Sequence, residues 1–474
     1  MDRPRVVIVG GGFGGLQVAQ ALRRTPVQVT LVDRQNHHLF QPLLYQVATA
    51  ALSPAQIAAP LRGVLGGQKN ARVLMAEAVR VEPDRRRLLL QDGELEYDYL
   101  VLAAGATHSY FGNQGWAPFA PGLKTLDDAL DVRRRILSAF ERAERRTSPE
   151  GQRADLTFVV VGGGATGVEM AGAIREIAVH ALEGDFRAVD TRQVRVILVE
   201  AQERVLAAGF TERLSARARR DLEAMGVEVR TGALVTRIGP EEVLIRSGER
   251  EERVATHNVV WAAGVQASPL GAGLGAPLDR AGRVEVGPDL SLPDRPELFV
   301  IGDMARVVDP AGRPVPGVAP AAMQMGRYVG ARIREEVRRG TAPGIQGSGP
   351  GARLRPPFRY RDKGLLATIG RARAVALIGG RGFDGLFAWL LWAVVHITYL
   401  VTFRQRLLVL LDWIWSYLFL QAGARLITGQ GEAPRGAAGG KLPLPGLPAS
   451  AAEEDTPVRV GTAEQDTEHG RAEH

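Results

Sequence analysis

Residues 5–22 read RVVIVGGGFGGLQVAQAL, and residues 156–174 repeat the same grammar as LTFVVVGGGATGVEMAGAI. In each stretch a short β-branched run leads into glycines and then into helical apolar spacing, which predicts strand, tight turn and helix. Gly10, Gly12 and Gly15 hold G-x-G-x-x-G spacing in the first, and Gly162, Gly164 and Gly167 hold it in the second. The spacing has a steric logic. The first glycine turns the chain, the second lets backbone approach a pyrophosphate, and the third lets the helix pack on its strand, so that the anion rests on the helix N-terminus.

Working outward, the next strand of the first unit, QVTLVD, ends at Asp33, 18 residues after Gly15. An acid there accepts from an adenosine ribose hydroxyl. In the second unit VRVILVE ends at Glu200, 33 residues after Gly167, and the extra length falls in VHALEGDFRAVDTRQ, which reads as a longer helix plus loop. A carboxylate at Glu200 repels a 2′-phosphate and favours NADH over NADPH. A second echo, YDYLVLAAGAT (97–107) and THNVVWAAGVQ (256–266), makes Gly264 the counterpart of Gly105. Gly10 to Gly162 is 152 residues and Gly105 to Gly264 is 159, a nearly constant offset that marks a duplication. The fold class expected is α/β, with two doubly wound Rossmann-type dinucleotide-binding domains and a C-terminal membrane-associated helical region.

None of the 474 residues is a cysteine. That excludes disulfides, thiolate metal sites, iron–sulfur clusters and redox dithiols, and leaves electron chemistry to a bound organic cofactor. Two dinucleotide sites then imply a resident FAD in one and NADH visiting the other. In ELFVIGDMA, Asp303 follows a strand and a glycine and suits a flavin's ribityl chain. His37, His38 and His396 lack a second ligand at metal spacing and read as structural, so no metal site is expected. The net charge is +7, carried almost wholly by Arg, with Lys only at 69, 124, 363 and 441. No basic run is interleaved with aromatics, so nucleic acid is not an expected partner. The first strand starts by Val6 without a secretory signal, which places the chain in the cytoplasm or on its membrane.

Residues 1–115 with 280–345 are assigned to an FAD-binding domain, 116–279 to an NADH-binding domain, 346–428 to a membrane-anchoring region and 429–474 to a disordered tail. The anchoring region holds the 18-residue block LFAWLLWAVVHITYLVTF, which lacks Asp, Glu, Lys and Arg. It reaches roughly 27 Å as a helix, short of a ~30 Å hydrocarbon core. Arg381 before it and Arg404 and Arg406 after it give both ends the same sign. Trp389, Trp392, Trp413 and Trp415 cluster here, as side chains at headgroup level do. Two helices lying in one leaflet are preferred over a transmembrane helix, with a buried homodimer interface as the competitor. Either way a lipid-soluble quinone is the simplest acceptor.

These residues resemble the type II NADH:quinone oxidoreductases, single-chain FAD enzymes of respiratory chains that do not pump protons. The resemblance rests on NHHLFQPLLYQVATAALSP, GGGATGVEMAGAI, PGVAPAAMQMG and FRYRDKGLLATIG, followed by the aromatic C-terminal helices. It implies FAD on the first glycine motif and Asp303, NADH on the second, and menaquinone or ubiquinone reaching the flavin from lipid on the cytoplasmic face of the inner membrane. Glu169 matches a family acid near the nicotinamide and quinone sites, although a Glu in a helix's first turn also complements the dipole. The family's Ala-Gln-x-x-x-Gln signature falls on Ala319 to Gln324, with Pro320 in place of the first Gln. Lys363 matches a lysine near the quinone tunnel. Sulfide:quinone oxidoreductases share the architecture but need cysteines. A reductase of a small electron-transfer protein would lack the Trp-rich C-terminus, and a flavin-bound NADH sensor would turn over slowly.

Overall fold

The computed structural model describes residues 3–340, 355–419 and 424–428. The Pro/Gly-rich linker expected at 341–357 lies mostly outside the described residues, as does the tail expected at 429–474. Two parallel sheets organise the molecule. The first runs, edge to edge, Ser291–Leu292, Arg295–Val300, Tyr99–Leu102, Arg5–Val9, Gln28–Asp33 and Ala71–Met75, with only the short edge strand antiparallel. The second runs Asn258–Trp261, Thr157–Val161, Arg195–Val199 and Val227–Arg230, all parallel. After their first residues the central strands are Val, Ile, Leu and Phe, because helices or loops cover both faces; Thr157–Val161 is buried throughout.

The duplication extends beyond the glycine motifs. Each unit adds a three-stranded antiparallel meander, Ala78–Glu82 to Gly93–Glu96 in the first and Ala233–Ile238 to Arg250–Ala255 in the second. The strand carrying each AAG echo returns beside the glycine-motif strand, at Tyr99–Leu102 and at Asn258–Trp261. The loops beyond those echoes meet in a two-stranded crossing, Ala106–His108 against Val265–Ala267. The first sheet is completed late in sequence by Arg295–Val300, after which the helix Ala319–Arg339 packs on Phe13–Ala21 through small residues. A Cβ on Gly326 would fall 2.2 Å from the Gly14 carbonyl oxygen.

The C-terminal part is a three-stranded antiparallel sheet, Leu365–Gly370, Arg373–Ile378 and Arg381–Asp384, followed by the helices Gly385–Tyr399 and Phe403–Phe419. Among the described residues no helix is long and apolar enough to cross a membrane. The break in the 18-residue apolar block is local chemistry. Thr402 Oγ1 accepts from the Gln405 amide at 3.2 Å while Gln405 Oε1 accepts from the Thr402 amide at 3.3 Å, a capping box that begins a new helix. The first helix keeps 15 residues, or about 22 Å. The transmembrane reading is thereby corrected. The tryptophans also divide: Trp392 is buried and stacks on Trp413 at 5.1 Å, whereas Trp415 is exposed.

Candidate functional site

The first glycine motif forms a cradle. Gly10 has φ +101°, and a Cβ on it would lie 2.3 Å from the Ala103 carbonyl oxygen. One on Gly15 would lie 1.9 Å from the Gly10 carbonyl oxygen, so neither position accepts a side chain. A Cβ on Gly12 would meet nothing within 4 Å, which leaves open space at the N-terminus of Phe13–Ala21. That helix has no side-chain cap and no acid in its first turn, so its leading N–H groups are available to an anion. Asp33 accepts from the Gly11 amide at 2.6 Å and the Gln35 amide at 2.7 Å, fixing the turn from behind.

Three further groups wall this cradle. His38, buried, contacts the Gly11 carbonyl oxygen through Nδ1 at 2.9 Å, and its Nε2 is buried without a partner in the protein. Burial lowers the imidazole's pKa, so the ring is neutral and Nε2 is an acceptor turned toward a missing donor. The Asp303 turn stands at the carboxyl end of the same sheet, where Gly14 approaches Ile301 and Ala322. Lys124 Nζ lies 4.0 Å from Asp303 Oδ2. The obligate glycines, the open helix terminus and the orphaned His38 nitrogen all fit a dinucleotide such as FAD.

The second cradle copies the first. Gly162 has φ +107°, its Cβ would lie 2.8 Å from the Ala262 carbonyl carbon, one on Gly167 would lie 1.8 Å from the Gly162 carbonyl oxygen, and one on Gly164 would meet nothing. Glu200 accepts from the Gly163 amide at 2.5 Å and the Gln202 amide at 2.8 Å, as Asp33 does in the first. The longer spacing to Glu200 is absorbed by a π turn at Ile177–Ala181 and the loop after it. Gly264, at φ +74°, lies beside this cradle against the Phe111 ring.

Glu169 is the fifth residue of the helix Ala165–Glu176, beyond its first turn, so dipole complementation does not account for it. Instead it lines a cavity of about 170 Å³, together with Tyr45, Thr368, Trp389, Trp392 and Trp413. Burial pushes its carboxyl up to about 8, partly offset by a hydrogen bond from the Thr368 backbone. The helix is clamped to the C-terminal sheet at Gly172, where a Cβ would fall 1.8 Å from the Ile369 carbonyl oxygen. On the far wall Trp413 Nε1 donates to Gln46 Oε1 at 2.8 Å and Gln46 Nε2 donates to the Tyr45 hydroxyl at 2.8 Å.

The other two residues expected at the reaction centre, Gln324 and Lys363, do not line this cavity. Gln324 donates to the Arg361 carbonyl and accepts from the Arg361 amide, each at 2.9 Å, so both ends of its side chain hold backbone. Lys363 is exposed two residues further on and does not line the cavity. Pro320 occupies the first turn of Ala319–Arg339, where no intrahelical N–H is required. Sequence reasoning missed His38, Lys124 and the Tyr45–Gln46 pair. The scarcity of lysine was the signal for Lys124; nothing in local pattern marked Gln46.

The fold and the paired cradles define a class, the two-dinucleotide flavoprotein reductases: residues 4–326 match the pyridine nucleotide-disulphide oxidoreductase family, and residues 363–420 match the NDH2 C-terminal domain. Two type II NADH:quinone oxidoreductases of Mycobacterium tuberculosis are 45% and 44% identical, over 90% of this chain and 91% and 90% of theirs. The structure of NDH2 from Plasmodium falciparum in complex with NADH superposes with a TM-score of 0.79, at 19% identity, over 90% of this chain and all of that one. The chain belongs to the type II NADH:quinone oxidoreductase family.

Proposed function

We propose that this chain oxidises NADH through bound FAD and reduces a membrane quinone, menaquinone or ubiquinone, without pumping protons, as a peripheral enzyme on the cytoplasmic face of the inner membrane. The observation that carries the reading is the pairing of two matched cradles with one apolar, tryptophan-lined cavity that abuts the second cradle's helix. The first cradle takes FAD, with Asp33 and Asp303 along the cofactor, and the second takes NADH on Gly162, Gly164, Gly167, Glu200 and Gly264. When bound, FAD accepts a hydride and returns electrons in pairs.

The protein's own part is positioning, exclusion of water and proton handling. Glu169, protonated near neutral pH, holds a proton at the cavity wall. Gln324 is a positioning residue that fixes the segment carrying Asp362, Lys363 and Gly364 through Arg361, and Lys363 offers an exposed cation beside it. Leu386, Phe387, Leu390, Val394, Leu411 and Ile414 leave a broad apolar surface on the two C-terminal helices. Such a surface suits a lipid leaflet.

The test is the detergent-purified chain, its flavin spectrum and NADH oxidation with and without a soluble quinone analogue. Fast bleaching by NADH with reoxidation by quinone at catalytic rate is expected. Bleaching without quinone-driven turnover would refute the activity.

A further inference from the structure

A hydride from NADH brings two electrons and one proton, whereas a quinol carries two electrons and two protons. Each turnover of the activity proposed above therefore draws one proton from water, and that proton must enter a cavity walled by tryptophans. The helix that begins at Ala165 presents a way in. Glu176 stands seven residues after Glu169, two turns along the same face and about 10 Å further down the axis. Immediately after Glu176 the helix widens into the π turn Ile177–Ala181. His180 lies four residues beyond Glu176, at the spacing that shares a helix face, inside that π turn, and such π turns gather at functional sites.

Glu169, Glu176 and His180 all line the same cavity. The two carboxyl residues are partly buried and His180 is exposed, so the row climbs from the second cradle to solvent. The cavity has space for several waters to bridge the steps. We propose that Glu176 and His180 form a proton-entry route that recharges Glu169 from solvent during quinone reduction.

The groups that face this row come from each packed element. Tyr45, on the helix Leu44–Ala48, is kept protonated by burial and by the two carboxylates. Arg371 donates its backbone N–H to Glu176, and the Arg371 and Arg373 side chains act on it electrostatically. The C-terminal helices contribute Trp389, Trp392, Trp413 and Ser416 to the lining and no charge. Arg175 turns away, donating to the carbonyls of Met225, Arg192 and Val194. Burial raises the Glu176 carboxyl against the pull of the arginines, bringing its exchange nearer neutrality.

The experiment uses the full-length, detergent-purified holoenzyme and measures two half-reactions anaerobically, flavin bleaching by NADH and reoxidation by a soluble quinone. Glu176→Gln retains an acceptor for the Arg371 N–H but carries no exchangeable acid. Bleaching by NADH is expected to stay at the wild-type rate, while reoxidation falls about 10- to 100-fold with a larger solvent deuterium isotope effect. His180→Ala should lose less, and free imidazole should restore it. Reoxidation at the wild-type rate in both variants, or a loss shared equally by bleaching, would overturn the route. Wild-type enzyme that quinone does not reoxidise would instead overturn the activity on which the route rests.

Discussion

The two glycine cradles share their backbone to within a few degrees: Gly10 and Gly162 sit at φ +101° and +107°, and Gly105 and Gly264 at +70° and +74°. They differ in what closes over them. In the first, a Cβ on Gly11 would fall 2.6 Å from Leu61, His38 backs the turn, and Asp303 with Lys124 stands across it. In the second, Gly164, Ala165 and Thr166 are exposed. A covered cradle suits a cofactor that stays, and an open one suits a dinucleotide that enters and leaves at each turnover. Duplication supplied one phosphate-binding turn twice; the surroundings cover the first copy and leave the second open.

The sharpest disruption comes at the third glycines. Gly15→Ala and Gly167→Ala each drive a Cβ into a carbonyl oxygen of their own turn, where backbone cannot yield. Each should destabilise its unit by more than about 4 kcal/mol, visible as a collapse in soluble yield and melting temperature. The second glycines separate the tenants without breaking the fold, because a Cβ there meets no protein atom. Gly12→Ala should purify folded with FAD largely lost, and Gly164→Ala should keep its FAD while the KM for NADH rises about 10-fold or more, read from flavin absorbance and steady-state kinetics.

Next in size is the second cradle's acid. Glu200→Gln removes the charge that repels a 2′-phosphate, so the preference for NADH over NADPH should narrow by about 10-fold, or ~1.4 kcal/mol. The comparison extends to Glu169, whose folded pKa of about 8 lies above the ordinary glutamate value. A group raised in this way binds its proton more tightly folded than unfolded, so stability falls as pH rises from about 4.5 and the loss is complete above about 8. Glu169→Gln should therefore raise the melting temperature more at pH 9 than at pH 6. The smallest effect is expected at Gln324→Ala, which removes two hydrogen bonds to Arg361 at about 1 kcal/mol each and should slow quinone reduction only by loosening the turn that carries Lys363.

The parallel sheets were legible because glycine spacing, β-branched runs and the AAG echo are local and repeated. Asp33 and Glu200 were found at unequal spacings because each ends a strand beside its glycine turn, a topological position that loop length does not alter. The cavity was not legible. Its walls come from residues near 45, 169–181, 368–371 and 389–416, and no window of sequence contains more than one wall. The partner of Gln324 was hidden for a related reason: its side chain is satisfied by backbone 37 residues away. The helix break at Thr402 was present in the sequence as Thr-x-x-Gln, but the apolar run around it reads as continuous when hydropathy alone is followed.

The central claim is that one cradle keeps a flavin and its copy admits the reductant. An anaerobic NADH titration of the Gly164→Ala holoenzyme beside the wild type tests it most directly. One FAD per chain is expected in both, bleached by a single equivalent of NADH in the wild type and resisting that equivalent in the variant. A Gly164→Ala protein purified without flavin, or bleached as readily as the wild type, would contradict it.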